Sequence, residues 1–414
     1  MRFAWLVSIL SCGLLLAGSP ASETNVNARY TVESVELAGD NPADTAEISK
    51  GLRSEITRLV GEKLNPAALD DLARRIRREL HVRAVTHRVL RGQKAGHVRV
   101  VFDVRGRPAK FEASVPKLLY RSPGGFTGAL AGTATVGSQA LTFGVVSDGD
   151  ELVERYSGVF ARYEDRRLAS DRVRFRFEFE SYHEQWSHAT TGAPLVAAEP
   201  APDFYGTRIH LEPVATVLLA RPLTLSLGAS FERLQSLPAA RSESANAMVT
   251  TLRYHRRLEG SDANQQEWDA GYSLRAATTL LGSDFAYARH QGDVRYVYSW
   301  GRSEILDDLT TGLITGRAPL FERFVLGNGS LLRGWNKFDL DPLGGNRMVH
   351  NSLEYRYRLL KVFYDSGAIW DQGQTAVLRH SVGVGVQRNG LFAALAFPVR
   401  EGHIEPVFMV GMNY

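Results

Sequence analysis

The run Asp171–Glu180, DRVRFRFEFE, poses the question that decides the fold. Val173, Phe175, Phe177 and Phe179 fall on one side of an extended chain, and Arg172, Arg174, Arg176, Glu178 and Glu180 on the other. Successive side chains of a strand point to opposite faces, so this alternation is that of a strand. In a soluble sheet the apolar row would cover a core. In a transmembrane barrel it faces lipid while the charged row lines a wet lumen. One strand does not choose between these, but the number and length of its companions do.

After Pro108 no convincing helical periodicity remains. Strand candidates lie near 111–119, 127–136, 139–147, 151–163, 171–186, 207–219, 222–236, 243–258, 265–281, 284–300, 303–317, 348–359, 361–370, 378–388, 391–399 and 403–414. The first two are the weakest, being Gly/Ala-rich with Pro116 and Pro123. The total is even, as single-chain bacterial barrels require, and many runs are long enough to cross a bilayer at a tilt. From about residue 186 the connections alternate between long and tight, with Ala220–Pro222, Trp300–Arg302 and Leu360–Lys361 among the tight ones. The connections at 258–264 and 281–284 depart from this rule. At the C-terminus Ile404, Pro406, Phe408, Val410, Met412 and Tyr414 alternate outward. A final aromatic on such a strand resembles the signal by which outer-membrane proteins are recognised for insertion.

Bulk properties agree with this reading. The 414 residues allow two domains, one of them a barrel of about 300 residues. Hydrophobic residues make up 44% of the chain and mean hydropathy is −0.18. Those values suit an alternating barrel as well as a soluble protein. The 15 Tyr, 19 Phe and 6 Trp could supply interface girdles, and a net charge of +4 gives no indication of nucleic acid. Residues 1–21 carry Arg2, an apolar run to Leu16 and small residues at Ser19 and Ala21, a secretory signal peptide cleaved after Ala21. The rival is a lipoprotein signal at Cys12, for which Leu10 is a poor residue and the apolar run stops too early. Cys12 is the single cysteine, so a mature chain without it has neither disulfides nor thiol chemistry.

Between leader and barrel, Tyr30–Leu37 alternates as a strand. Ile48, Leu52, Ile56, Leu59 and Val60 are spaced as on a helix. Asn65–Pro66 starts a second helix as N-cap and first residue, with Leu69, Leu72, Ile76 and Leu80 as its apolar face. Strands at 81–90 and 97–104 follow. This β-α-α-β-β order over 29–107 resembles the polypeptide-transport-associated (POTRA) domain that precedes outer-membrane assembly barrels. Its sheet would leave an edge strand able to accept an extended client. From Arg74 to Lys110 there are 12 Lys/Arg against 2 acids. That is either a face for anionic headgroups or an acidic client, or a solvated surface whose charges guard against aggregation.

The stretch Phe321–Asp371 carries the function. It places Leu332–Arg333–Gly334–Trp335 in a long loop and Phe363–Tyr364–Asp365–Ser366–Gly367 in a later strand. If that loop folds into the lumen, Arg333 can pair with Asp365 there. Leu332–Trp335 resembles the V-R-G-F/Y motif of the BamA-like outer-membrane superfamily (the bacterial surface antigen family), and Phe363–Asp371 its F-x-D-x-G-x-x-W motif. Leu353–Tyr357 and Ser381–Val386 also look like the last strands of that family. Leu332 and Trp335 depart mildly from the usual residues. The resemblance implies a 16-stranded outer-membrane barrel over 108–414 behind a single periplasmic POTRA-like domain. It implies a loop folded inward, with Arg333 meeting Asp365 and the Phe363 ring, supported by Gly367, and with Gly334, Gly327 and Gly329 allowing tight turns. It further implies assembly, insertion or translocation of proteins, without catalysis, cofactor or metal. The partners would be outer-membrane lipids, unfolded outer-membrane or exported clients, and other periplasmic assembly factors. Phe408, Val410, Met412 and Tyr414 would form the insertion signal. The alternatives are a pore exporting a dedicated partner, or a lipid-handling or structural barrel. His183–His188 resembles a zincin sequence, but its histidines are spaced wrongly for one helical face. No G-x-S-x-G elbow exists for a lipase, and Asp148–Gly149–Asp150 reads as a turn.

Overall fold

Alternating residues from Lys110 onward build one continuous wall. The computed structural model describes the chain apart from residues 1–25, 40–47, 81, 107–108, 169, 194–203, 237–240, 261–263, 401, 403–404 and 413–414. The expected leader with Cys12, together with Ile404 and Tyr414, therefore lies outside the described residues. Two units separate at residues 108 and 109.

In the first unit, strands β1 (Thr31–Gly39), β2 (Ala84–Arg91) and β3 (His97–Arg105) form a sheet in the order β1-β3-β2. β3 runs parallel to β1 and antiparallel to β2. Helices α1 (Lys50–Arg58) and α2 (Pro66–Leu80) complete the β-α-α-β-β order. Each helix starts on a polar cap, Ser49 Oγ accepting from Leu52 N and Asn65 Oδ1 accepting from Ala67 N. The apolar positions Leu52, Leu69, Leu72 and Ile76 pack against Val98, Val100, Phe102 and Val104 of the central strand. Several of the basic residues are paired locally: Arg75 with Glu55, Arg88 with Asp103 and Arg99 with Glu36.

The second unit is a closed antiparallel barrel. Its strands are β4 (Lys110–Arg121), β5 (Gly125–Val136), β6 (Gln139–Asp148), β7 (Arg155–Asp165), β8 (Val173–Gln185), β9 (Tyr205–Ala220) and β10 (Leu223–Ser236). Then come β11 (Ser242–Ser244), β12 (Ala247–Glu259), β13 (Gln265–Ala277), β14 (Ala286–Trp300), β15 (Ser303–Arg317) and β16 (Arg347–Tyr357). β17 (Leu360–Trp370), β18 (Arg379–Arg388), β19 (Leu391–Val399) and β20 (Val407–Met412) close the ring. The short β11 pairs with β10 just ahead of β12, on the same ladder, so the wall has sixteen strands. No helix among the described residues is long and apolar enough to cross a membrane.

Two-residue connections at 137–138, 221–222, 301–302, 358–359 and 389–390 gather at one end, the turn end. Longer ones, including 278–285, 318–346 and 371–378, leave from the other, the loop end. The connection expected to be short at 281–284 is in fact 278–285. It contains a 3-10 turn at Thr279–Leu281 closed by left-handed Gly282, φ 68°, so it obeys the alternation. In β8, Phe177 faces outward while Glu178 is buried on the lumen side. Near the turn end an aromatic group sits on the outer surface: Trp268 against Tyr296, Tyr298 against Trp300, and Trp300 against Tyr355. Such rings favour a membrane–water interface.

The wall is uneven. β14 and β15 share a ladder from Ala286↔Arg317 to Trp300↔Ser303. The closing pair is much shorter: among the described residues β20 meets β4 from Met409↔Arg121 to Met412↔Leu118. From there Lys110–Ser114 of β4 continue on the β5 ladder. Reciprocal bonds from Ser122 N to Phe408 O (3.0 Å) and from Phe408 N to Ser122 Oγ (3.2 Å) extend the seam at the loop end. Tyr120 packs toward Phe408 outside, and Leu119 joins Met409, Phe392 and Phe363 inside. Phe408 and Val410 point outward and are exposed.

Candidate functional site

The connection 318–346 does not project from the barrel. Leu320, Phe324, Leu326, Leu332 and Trp335 are buried against inward side chains of the wall, among them Tyr205, Leu234, Tyr287 and Met348, and against Phe285 of the 278–285 connection. An apolar loop of this kind has no stable place in water, and the loop-end half of the lumen supplies the missing core. Polar groups register it. Glu322 accepts from Tyr287 Oη at 3.0 Å and lies 3.3 Å from Arg275 Nε, while its carbonyl accepts from Arg289 Nε at 2.9 Å. Phe324 and Gly345 exchange main-chain bonds of 2.9 and 3.0 Å, closing the loop on itself.

Arg333 lies at the centre, only 7% exposed. Its main-chain N donates to Asp365 Oδ2 at 3.0 Å, its Nε to the same oxygen at 2.9 Å, and its Nη2 to Asp365 Oδ1 at 2.7 Å. Nη2 also reaches Ser352 Oγ at 2.8 Å, and Nη1 donates to Glu354. The guanidinium carbon stands 3.7 Å from the centre of the Phe363 ring. A planar fork that satisfies two carboxylates while stacking on a ring is a task for arginine rather than lysine. Removing one partner of such a buried pair typically costs about 3–5 kcal/mol, because the other charge is left uncompensated. The Phe363 ring can lie flat beneath Arg333 only because Gly383 has no side chain; a Cβ there would overlap the ring.

The rest of the motif shapes the turn. Leu332 adopts φ 56° and Gly334 φ 96°. The second is easy for glycine and the first is rare for a leucine. Leu332 N donates to His350 Nε2 at 2.9 Å, and Trp335 Nε1 donates to the His380 carbonyl at 2.8 Å. Gly327 also has positive φ, at 81°. Gly329 contributes differently, its N–H reaching Asp150 Oδ1 at 3.2 Å. At Gly367 a Cβ would press on Val349 O, 3.0 Å away, on Leu326, 3.1 Å away, and on His350, 3.4 Å away.

Several partners carry no signal of their own in the sequence. Ser352, Glu354 and Arg356 share the inward face of β16, and Arg356 links Glu354 to Glu304. That i, i+2, i+4 polar row opposite Asp365 could have pointed to them. The Asp148–Asp150 turn is real, with Asp150 N donating to Asp148 Oδ1 at 2.9 Å. Its carboxylates both hold Lys117 Nζ at 2.6 Å. His183 and Glu184 sit on strand β8 with Glu184 buried beside Arg208. No cluster of metal-ligating residues occurs among the described residues.

Residues 265–398 match the Omp85 superfamily domain, a span that holds the loop, Arg333 and Asp365. That span of the barrel is thus similar to an Omp85 superfamily domain. Among solved structures, this chain resembles BamA from Haemophilus ducreyi lacking POTRA domains 1–3, with a TM-score of 0.64 and 15% identity over 93% of this chain and 84% of that one. It also resembles CdiB from Acinetobacter baumannii, with a TM-score of 0.51 and 13% identity over 93% and 74%. At such identities these likenesses speak for the fold alone, a closed antiparallel β-barrel. Among curated proteins, none matches the sequence.

Proposed function

We propose that this Omp85-like barrel assembles or translocates proteins at the outer membrane, pairing an extended client segment at the seam between β4 and β20. The observation that carries this reading is the short seam ladder, four pairs among the described residues, in a wall where β14 and β15 share fifteen. Antiparallel pairs are the unit of wall cohesion, so the seam is the cheapest place to part it. Once parted, β4 offers a row of main-chain donors and acceptors to an incoming strand. In this reading the unit before residue 109 is a POTRA-like domain in the periplasm, and its edge strand β2 is a second place for an extended client. A groove of about 570 Å³ lies beside that edge, lined by Tyr30, Leu69, Val89 and Leu90 and bordered by Arg91 and Lys94. The Arg333–Asp365–Glu354 cluster acts as a latch that holds the loop in the lumen, and Phe408, Val410, Met412 and Tyr414 form the insertion signal.

Depleting the protein and comparing outer-membrane proteomes tests the reading. Loss of many barrels supports assembly, and loss of one exported protein supports a dedicated translocation pore. An unchanged proteome overturns both and leaves a lipid-handling or structural barrel.

A further inference from the structure

The lumen loop touches the wall on both sides of the seam, and the two sets of contacts differ in kind. On the side of the last strands, Arg333 binds Ser352 and Glu354 of β16 and Asp365 of β17, and Trp335 binds the His380 carbonyl of β18. Arg323 adds Asp371, just after β17, at 2.6 Å. The loop itself is rooted in β15 and β16, so parting β4 from β20 separates none of these groups. On the side of the first strands, Lys337 is 3% exposed. Its ammonium donates to three main-chain carbonyls of the β6–β7 connection: Gly149, Glu151 at 2.5 Å and Val153 at 2.6 Å. Asn328 Nδ2 donates to the Asp150 carbonyl at 3.0 Å, and Arg121 Nη1 of β4 donates to the Gly327 carbonyl at 2.8 Å.

We propose that the loop is a crossbar holding the seam shut from inside, and that Lys337 in the carbonyl cradle of residues 149–153 is the anchor released when the seam opens. This rests on the reading that the seam opens at all. The cradle suits a reversible anchor. An ammonium carries three donors and no fixed plane, so three carbonyls satisfy it fully, and a single shift of the 149–153 segment releases all three together. The Arg333 cluster is two-pronged and backed by a ring, and it stays with the loop.

The test attaches spin labels at positions 126 and 395, on the outer faces of β5 and β19, through the substitutions F126C and L395C. C12S is added, and the full-length protein is placed in lipid vesicles without client. With no further change this labelled chain gives a single short distance. Lys337→Met raises the long-distance population on the order of tenfold, the factor expected from losing roughly one net charge-assisted hydrogen bond. Arg323→Gln, which removes a loop anchor of similar strength on the last-strand side alone, leaves the distance short. If K337M loses the folded barrel, D150N, which weakens the contacts of Gly329 and Lys117, carries the same comparison. A folded K337M or D150N with an unchanged distance overturns the crossbar, as does an R323Q that opens equally. Because no client is present, an opened seam in K337M together with an unchanged proteome on depletion leaves the crossbar standing and removes the assembly reading.

Discussion

The seam and the ladder between β14 and β15 are built from the same kind of strand yet are held in opposite ways. β14 and β15 are joined along their whole length, and little from the lumen is needed to keep them together. β4 and β20 share four pairs among the described residues. Beyond these and the Ser122 N–Phe408 O bond, their cohesion comes from side chains: Tyr120 with Phe408 outside, Leu119 with Met409 inside, and a loop reaching across from β16. Main-chain ladders are cooperative and hard to undo one pair at a time, whereas side-chain contacts can be exchanged singly. Closure at the seam is thus assigned to replaceable parts.

Locking or cutting these joints should have unequal effects. A disulfide between Y120C and V410C, which face each other in the seam register, should abolish client assembly in a complementation assay. The same bridge between V294C and L309C on β14 and β15 should leave assembly intact. Arg333→Ala should lower stability by about 3–5 kcal/mol, seen as an earlier denaturant midpoint, since Asp365 and Glu354 are left buried without their partner. R333K should recover part of this loss, keeping the charge without the fork. Gly383→Val should act on the same site from beneath, displacing the Phe363 ring at about 1–3 kcal/mol, whereas Gly128→Ala, where the atom nearest an added Cβ is 3.5 Å away, should change the midpoint less. Replacing Tyr120 or Phe408 with alanine removes an aromatic contact worth roughly 0.5–1.5 kcal/mol and should loosen the seam before it unfolds the barrel.

The smallest effect lies in the first unit. Asp103 has its carboxyl held below the usual carboxylate range by the hydrogen bond from Arg88. A depressed folded pKa contributes stability above the ordinary carboxylate value of about 3.9 and loses it as pH falls through the folded value. Urea titration of wild type and D103N should therefore differ slightly at neutral pH and converge in acid. A gap that persists at the acid end would overturn the assignment.

Sixteen strands were legible because alternation is a local property: DRVRFRFEFE reads the same whatever surrounds it. The connection 278–285 looks too short in the sequence for a related reason. Thr279–Leu280–Leu281 resembles the end of a strand, and only the left-handed turn at Gly282 reveals otherwise. The interior of the lumen was far less visible. Leu320, Phe324 and Leu326 follow no period, because a loop packed into a cavity takes its spacing from the cavity. Arg333 and Asp365 stood out through their motifs, but Glu354 and Ser352 needed the register of β16 against β17 to bring them together. Lys337 left no trace at all, since its partners are carbonyls that every residue possesses.

Leu332 gives the loop a further property. A leucine at φ 56° holds roughly 1–2 kcal/mol of torsional strain, retained while its N–H is bonded to His350 and its neighbour Arg333 is clamped. The loop is thus a loaded spring. The His350 bond and the Arg333 clamp together hold Leu332 in a conformation its own backbone disfavours, so the strain stays stored for as long as the cluster stays with the loop. A glycine at that position would unload the spring, because it adopts positive φ without the Cβ penalty.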